Sequence, residues 1–221
     1  SWGGFNALQV AARRPPALKS VVSIASTVDR FADDIHYKGG AQLSAQVYWA
    51  TQMLGRNARP PDAAVLGADW RDTWMTRLDA TQPLIAPWLG HQRRDAYWRH
   101  GSICEDFSAI EADCLVIAGW ADGYRNTPWK AMLGLGDKCR AITGPWVHAY
   151  PHFARPRPGL DFLQVVNQAW LEPLHLSSAS AERPPAHRLW RSEAVRPDGD
   201  RTRDPGQWVG IDGPGKLQKV L

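Results

Sequence analysis

Three short, mostly apolar runs divide the chain and restrict the folds that are open to it. They are Leu18–Ala25 (LKSVVSIA), Cys114–Gly119 (CLVIAG) and Cys139–Ile142 (CRAI). Apolar runs of this length, rich in β-branched residues, are typical of parallel strands that are buried on both faces. Segments with helical spacing lie between the runs, so the pattern predicts an α/β fold with a mostly parallel sheet.

The segments before, between and after these runs carry the signals of helices. In the first segment Phe5 and Leu8 fall near helical spacing, and Pro15-Pro16 end the pattern. Further helices are predicted at about 42–54, 69–78, 128–135 and 161–171. Because the pattern is helical from about 41 to 100, interrupted only at prolines, we predict a helical insertion between two strands of one sheet.

Composition and charge exclude several classes of protein. The formal charge of +4 comes from basic residues that alternate with acidic ones, which argues against binding to nucleic acid. No apolar run reaches the roughly 18 residues that span a bilayer, so we expect no membrane partner. Cys104, Cys114 and Cys139 form no C-x-x-C pair, so we predict no metal site and no other cofactor, while a single disulfide stays possible.

Three residues of types used in nucleophilic catalysis occur next to predicted strands. Ser1 precedes Trp2-Gly3 and a helix, as in the second half of a G-x-S-x-G turn, and Asp122 and His148 each follow a strand. Taken singly, Ser1 could be a helix N-cap, Asp122 a turn residue and His148 a structural residue. Together they stand in the order Ser, Asp, His at strand ends, which favours a catalytic triad.

The chemistry explains why these residue types are needed together. A serine hydroxyl becomes a good nucleophile when an imidazole accepts its proton, and a carboxylate orients that imidazole. The backbone N–H of Trp2, one residue after Ser1, is placed to stabilise the oxyanion. Trp120 and Trp146 adjoin the other two residues, so they could line a substrate pocket, although core packing is an equal alternative.

Four blocks of the sequence resemble the cocaine esterase (CocE/NonD) group, which also contains Xaa-Pro dipeptidyl peptidases and α-amino-acid ester hydrolases. The blocks are Ser1–Phe5 (SWGGF), Tyr97–Ser102 (YWRHGS), Gly119–Tyr124 (GWADGY) and Gly144–His148 (GPWVH). The resemblance implies Ser1 as nucleophile, Asp122 as the acid and His148 as the base of an α/β-hydrolase fold. It covers the chain to about Trp190.

The resemblance also implies a domain organisation. Residues 1–30 and 101–175 would form part of the α/β-hydrolase core, residues 31–100 a helical cap, and residues 186–221 the start of a C-terminal jelly-roll domain. The early strands and a tyrosine that supplies a second oxyanion donor would precede residue 1. We therefore expect an N-terminally truncated chain that lacks activity by itself.

The predicted function is hydrolysis of an ester or amide through an acyl-enzyme, on an acyl ester, an amino-acid ester or an Xaa-Pro peptide. The alternatives are a catalytically inactive binding module and an acyltransferase. The expected partner is a small molecule or short peptide, a homo-oligomer is possible, and the cytoplasm is the favoured location. Asp33, Asp34 and His36 could contact substrate, but a solvated loop or a helix cap is the favoured interpretation.

Overall fold

In the computed structural model, which describes residues 1–176 and 184–212, the predicted strand runs belong to one sheet. The strands are β1 (Ser20–Ile24), β2 (Tyr37–Lys38), β3 (Ala41–Gln42), β4 (Asp113–Gly119), β5 (Cys139–Gly144), β6 (His187–Ser192) and β7 (Gly206–Ile211). The main sheet has the order β1-β4-β5-β6-β7, with β7 antiparallel to β6 and the other pairs parallel. The predicted α/β class with a mostly parallel sheet is confirmed.

The helices of the described residues lie close to where the sequence predicts them. They are α1 (Trp2–Ala11), α2 (Ala45–Asn57), α3 (Ala63–Leu66), α4 (Trp70–Ala80), α5 (Ile85–Gly90), α6 (Ala96–Arg99), α7 (Thr127–Leu135) and α8 (Phe162–Leu171). Short 3₁₀ turns occur at Gly67–Asp69, Ile103–Glu105, Phe107–Ala109 and Gly136–Lys138. The bounds of the five helices predicted from spacing agree within about three residues, as expected because helix ends fray.

The main sheet is covered on both faces by helices. Along β4, Val116 packs in a cluster with Leu8 of α1 and Met132 of α7, whereas Ile117 packs in a second cluster with Val166 of α8. Successive side chains of a strand point to opposite faces, so both faces of β4 are buried. This two-sided burial explains why its sequence is continuously apolar.

A helical segment, residues 45–99, lies in the sequence between β1 and β4, which are neighbours in the sheet. It has its own small cluster, in which Trp98 and Trp88 pack with Ala50 and with Tyr37 of β2. Helices α3 and α4 bury no residue at all. The helical segment is therefore packed much less tightly than the sheet.

The last two strands continue the main sheet beyond β5. Residues 141–143 of β5 pair in parallel with 187–189 of β6. The jelly-roll domain that the resemblance places at residues 186–221 stays a prediction, and residues 213–221 lie outside the described part, as do 177–183 of the Ser/Ala/Pro-rich segment interpreted as a linker. Among the residues described, no helix is long and apolar enough to cross a bilayer.

Candidate active site

The carboxyl ends of β1, β4 and β5 meet at one edge of the sheet, because these strands are parallel neighbours. Asp122 lies three residues beyond the end of β4 and His148 lies four beyond the end of β5. We call residues 120–126 the acid loop and residues 145–148 the base loop. Ligands of open α/β folds bind at such an edge, so the sheet alone directs attention to these loops.

Main-chain hydrogen bonds join the two loops directly. The N–H of Trp120 donates to the carbonyl of Gly144 at 2.8 Å, and the N–H of Ala121 donates to the carbonyl of Trp146 at 3.1 Å. Gly119 is required at the end of β4, since a Cβ at this position would collide with the main chain of Trp146. The spacing between the loops is therefore fixed by backbone.

The side chains of Asp122 and His148 form a hydrogen-bonded pair. His148 Nδ1 lies 3.1 Å from Asp122 Oδ1 and 3.0 Å from Oδ2. Asp122 is 2% exposed, while the His148 side chain is 46% exposed. A proton on Nδ1 shared with the carboxylate leaves Nε2 as the acceptor that faces outward, which is the tautomer a general base needs.

Ser1 stands at the start of α1, and its hydroxyl makes no capping hydrogen bond to the helix. Helix α1 approaches the end of β1 closely at Gly4, where a Cβ would lie 2.7 Å from the backbone nitrogen of Ile24. Only glycine permits this approach, and it brings Ser1 to the same sheet edge as the other two residues. Within residues 1–176 and 184–212, however, no hydrogen bond joins Ser1 to His148. Catalytic hydrogen bonds are often long before substrate binds.

A cavity of about 190 Å³ borders Ser1. The sheet side contributes residues of α1 and of the loop after β1, and the helical segment contributes Trp49, Met53 and Trp88. Trp2 also lines the cavity, with its ring centroid 6.5 Å from that of Trp49. Five of the lining residues are aromatic and most of the wall area is apolar, which suits an apolar organic group.

Tyr124 connects the acid loop to this cavity, and the sequence did not single it out beyond its place in the GWADGY block. Its N–H donates to Asp122 Oδ1 at 3.0 Å, and its ring centroid lies 5.6 Å from that of His148. Its hydroxyl donates to Asp34 Oδ1 at 2.9 Å. Burial, followed by the nearby charge of Asp34, raises the pKa of Tyr124, so the phenol stays protonated as a donor.

The loop after β1 differs from the favoured interpretation of a solvated segment. Asp33 is 1% exposed and His36 is 5% exposed, and Asp34 and His36 line the cavity. Burial lowers the pKa of His36 to about 4, and its Nδ1 lies 3.1 Å from Gln46 Oε1. The loop is buried because its polar groups find partners on α2, α7 and the acid loop.

The buried carboxylate of Asp33 holds this loop against the acid loop. Asp33 accepts a hydrogen bond from Asn126 Nδ2 at 3.1 Å and pairs with Lys130 at 3.1 Å and with Lys38 at 3.6 Å. Lys38 in turn donates to the carbonyl of Gly123, next to Asp122. These contacts fix the acid loop on the side away from the base loop.

Trp120 and Trp146 lie away from the cavity that Ser1 borders. Trp146 is 1% exposed and packs in the core, with its Nε1 donating to the carbonyl of Pro158 at 2.7 Å. Trp120 donates from Nε1 to the carbonyl of Trp190 at 2.7 Å. Trp146 thus packs in the core, whereas Trp120 lines a different cavity together with Pro145 and Val147. A role of either ring in substrate binding stays a prediction.

Ligands for a metal ion are not grouped in the described part of the chain. Nowhere in residues 1–176 and 184–212 do three or more His, Cys, Asp or Glu side chains come together in a metal-binding arrangement. Cys114 and Cys139 are buried register partners on β4 and β5, and burial raises the pKa of both thiols. A thiol held protonated is a poor ligand and a poor nucleophile.

The fold and the site define an α/β protein with an acid–base pair and a cavity at the carboxyl edge of its parallel sheet. A family model described as X-Pro dipeptidyl-peptidase (S15 family) matches residues 1–150. The chain belongs to this family, which confirms the resemblance to the CocE/NonD group. A search of curated proteins gives no match.

Solved structures support the same fold. The chain is similar to an aminopeptidase from the marine sediment archaeon Thaumarchaeota archaeon (TM-score 0.60, 18% identity, 96% of this chain and 38% of that chain). It is also similar to a CocE/NonD family hydrolase from Staphylococcus aureus (0.64, 15%, 91% and 31%) and to an α-amino acid ester hydrolase (0.61, 14%, 94% and 37%). The chain thus spans about a third of the length of each of these structures.

Proposed function

We propose that the protein hydrolyses an ester or amide through an acyl-enzyme, with Ser1 as nucleophile, His148 as general base and Asp122 as the residue that orients His148. The observation that carries the proposal is the His148–Asp122 pair at 3.0 Å, at the same sheet edge where Ser1 borders an aromatic cavity. Membership of a peptidase family supports it independently.

In the proposed reaction, Ser1 Oγ forms a bond to the acyl carbon while its proton passes to His148 Nε2. The C–O or C–N bond of the substrate then breaks, and the leaving group takes that proton. Water repeats the sequence on the acyl-enzyme and regenerates Ser1. Asp122 stabilises the imidazolium that forms in each half, which its burial beside Nδ1 permits.

The oxyanion needs donors that point at it before the reaction begins. The N–H of Trp2 is the first amide of α1, and it donates to no acceptor within residues 1–176 and 184–212. The first amides of a helix have no intrahelical partner and lie at its positive end. Trp2 is therefore our candidate for one donor, and the resemblance implies a tyrosine hydroxyl as the second.

The cavity favours a small acyl group over a polymer. Its aromatic walls and volume of about 190 Å³ suit a compact organic acid. A second candidate substrate is a short peptide, because Asp34 on the cavity wall is a side chain that a free N-terminal amine could contact. The names of the family and of its aminopeptidase neighbour point the same way.

The test is labelling of the purified full-length protein with a fluorophosphonate probe, followed by mass spectrometry of the modified peptide. We expect labelling at Ser1, no labelling in Ser1→Ala, and a loss of at least about 100-fold in labelling rate in His148→Ala. His152→Ala is the matched control, because His152 is exposed and lies four residues away. Undiminished labelling in His148→Ala, or none at Ser1 in the wild type, would refute the triad and favour a binding module.

Product analysis separates hydrolysis from acyl transfer. The enzyme is incubated with an ester in water and then with an added alcohol or amine. Free acid as the sole product in both cases supports hydrolysis. A new ester or amide that forms at millimolar acceptor, well below the concentration of water, would identify an acyltransferase instead.

A further inference from the structure

Arg30 is a cation on the wall of the cavity that Ser1 borders. It follows β1 by six residues and is half-buried, and its backbone N–H donates to Ser102 Oγ at 2.9 Å. The sequence offered no local signal for it, because a single arginine in a loop is usually a solvated residue. Its place on the wall of the cavity that Ser1 also borders is a property of the fold alone.

The guanidinium of Arg30 is fixed in place on one edge. Its Nη1 donates to the carbonyl of Tyr97 at 3.0 Å and to the carbonyl of His100. Its Cζ lies 5.2 Å from the ring centroid of Tyr97 and 5.4 Å from that of Trp98. Stacking on these aromatic rings orients the planar guanidinium group without using its N–H donors.

The other edge of the Arg30 guanidinium makes no hydrogen bond within the described residues. Nε and Nη2 of Arg30 donate to no acceptor in the described part of the chain. No carboxylate of residues 1–176 or 184–212 lies within 4.0 Å of the Arg30 guanidinium, whereas Arg94 and Arg140 are each paired with one. A rigid guanidinium with a free edge is the side chain best suited to bind a carboxylate.

Asp34 is the other ionisable wall group that could compete for Arg30, and its carboxyl is already engaged. It accepts hydrogen bonds from the Tyr124 hydroxyl at 2.9 Å and from the N–H of Ile35 at 2.7 Å. Burial raises the pKa of Asp34, and the nearby charge of Arg30 acts against that rise. His36 adds no charge near neutral pH, because burial lowers its pKa to about 4. The donors of Tyr124 and Ile35 thus hold the Asp34 carboxylate, while Nε and Nη2 of Arg30 have no partner in the described part of the chain.

We assign the acyl side of the substrate to this cavity. His148, which gives the proton to the leaving group, does not line this cavity, whereas Ser1, to which the acyl group becomes bonded, does. We propose that Arg30 binds a carboxylate carried by the acyl group, so that the preferred substrates are monoesters or monoamides of short dicarboxylic acids. This inference rests on the proposed function of Ser1.

The test compares two esters of equal size on the full-length protein. One is the mono-4-nitrophenyl ester of adipic acid, and the other is 4-nitrophenyl 6-methylheptanoate, in which an isopropyl group replaces the carboxylate. We expect kcat/KM to be about 10- to 100-fold higher for the anionic ester, the range of a charge-assisted hydrogen bond. In Arg30→Gln the preference should disappear, and in Arg30→Lys part of it should remain.

The matched control is Arg99→Gln, because the Arg99 side chain is 61% exposed and lies outside the cavity. This variant should keep the wild-type preference. Inhibition of the wild-type enzyme provides a second measurement that needs no variant: adipate should compete with the neutral ester at least about 10-fold better than adipamide.

The outcomes separate the two proposals. Equal kcat/KM for both esters, or no difference between adipate and adipamide, would overturn the part assigned to Arg30 while hydrolysis of the neutral ester upheld the proposed function. A higher kcat/KM for the ester of 6-aminohexanoic acid than for the neutral ester would overturn it in favour of an amine at Asp34. If Ser1 is not labelled and no ester is cleaved, the proposed function itself fails.

Discussion

The sheet and the helical segment differ in how firmly each holds the residues that it contributes to the site. Six of the seven residues of β4 are buried, and its end is bonded to β5 by main-chain contacts. In the helical segment α3 and α4 bury nothing, and α2 buries only Gln46 and Ala50. The residues of the proposed reaction are thus held by the tightly packed sheet. The cavity wall around Trp49 and Trp88 belongs to the more loosely packed helical segment.

Because of this difference, changes in the helical segment can alter the choice of substrate while the sheet keeps the type of reaction unchanged. The acid–base pair depends on strand ends that almost any change in the helical segment leaves intact. The wall facing the substrate depends on a few contacts around Trp98. The predictions that follow are designed to test whether the two regions are as independent as their packing indicates.

The largest expected effect is a loss of kcat when Asp122, at the carboxyl edge of the sheet, is substituted. Asp122→Asn keeps the shape of the side chain but removes the charge that holds the His148 tautomer, so kcat should fall by about 10⁴-fold. Asp113→Asn is the matched control, since Asp113 is exposed and lies at the opposite end of the same strand. Steady-state kinetics on the full-length protein measure both. Equal losses in the two variants would indicate general damage to β4.

The second effect is on the stability of the helical segment. Trp98 is 0% exposed and donates from Nε1 to the carbonyl of His91 at 2.6 Å, so Trp98→Ala should lower the free energy of unfolding by about 3–5 kcal/mol. Val65→Ala in α3, where the residue is 78% exposed, should change it by less than about 0.5 kcal/mol. Urea denaturation followed by tryptophan fluorescence measures the change. A separate early transition in Trp98→Ala would sharpen the comparison, because it would show that the helical segment unfolds alone.

The third effect is a loss of stability in acid that both regions share. Burial lowers the pKa of His187 in the sheet to about 4, and that of His36 beside the helical segment also to about 4. In the unfolded chain both titrate near 6.5, so the unfolded state alone gains protons as the pH falls from about 7 to 4. Each histidine should therefore lower the free energy of unfolding by up to about 3 kcal/mol at pH 4, with no effect above pH 7.

Variants separate these two contributions. His187→Gln and His36→Gln should each flatten the pH dependence of unfolding between pH 6.5 and 4, measured by urea denaturation at several pH values. His100→Gln is the control, because His100 is exposed. A pH dependence that is unchanged in both buried variants would contradict the assignment of the acid loss to these histidines.

The smallest effect is expected for contacts that position the acid loop from outside. Lys38→Met removes the donor to the Gly123 carbonyl, and kcat should fall several-fold, far less than the roughly 100-fold that a misplacement of about 1 Å can cost. Lys38→Arg should restore part of the rate, whereas stability should change by less than about 1 kcal/mol, because Lys38 is partly exposed. A loss as large as in Asp122→Asn would mean that Lys38 acts in the chemistry itself.

The sequence predicted the sheet edge better than the cavity, and the reason is physical. Strands β1, β4 and β5 can be recognised in the sequence because parallel strands need apolar residues on both faces. The loops that follow these strands must then lie at the carboxyl edge of the sheet. The order of Ser1, Asp122 and His148 could therefore be interpreted without a structure. The hydrogen bond between His148 and Asp122 follows from that placement.

The cavity wall could not be predicted, because its residues depend on partners far along the chain. Asp33 is buried next to Asn126 and Lys130, more than 90 residues later, which bond to and pair with its carboxylate. Arg30 is oriented by residues 97–100, and nothing in its own neighbourhood indicates this. Local sequence patterns predict helices, strands and turns, but they do not predict contacts between residues far apart in the chain.

The main-chain bonds between the acid loop and the base loop have a consequence for protein engineering. Since Trp120 and Ala121 are held through their backbone N–H groups, the spacing of Asp122 and His148 does not depend on the side chains that the helical segment contributes to the cavity. A mutant library that randomises Trp49, Met53 and Trp88 should therefore return many variants with altered selectivity and few with a broken reaction centre. Gly119, which tolerates no Cβ, is the position that such a library must leave alone.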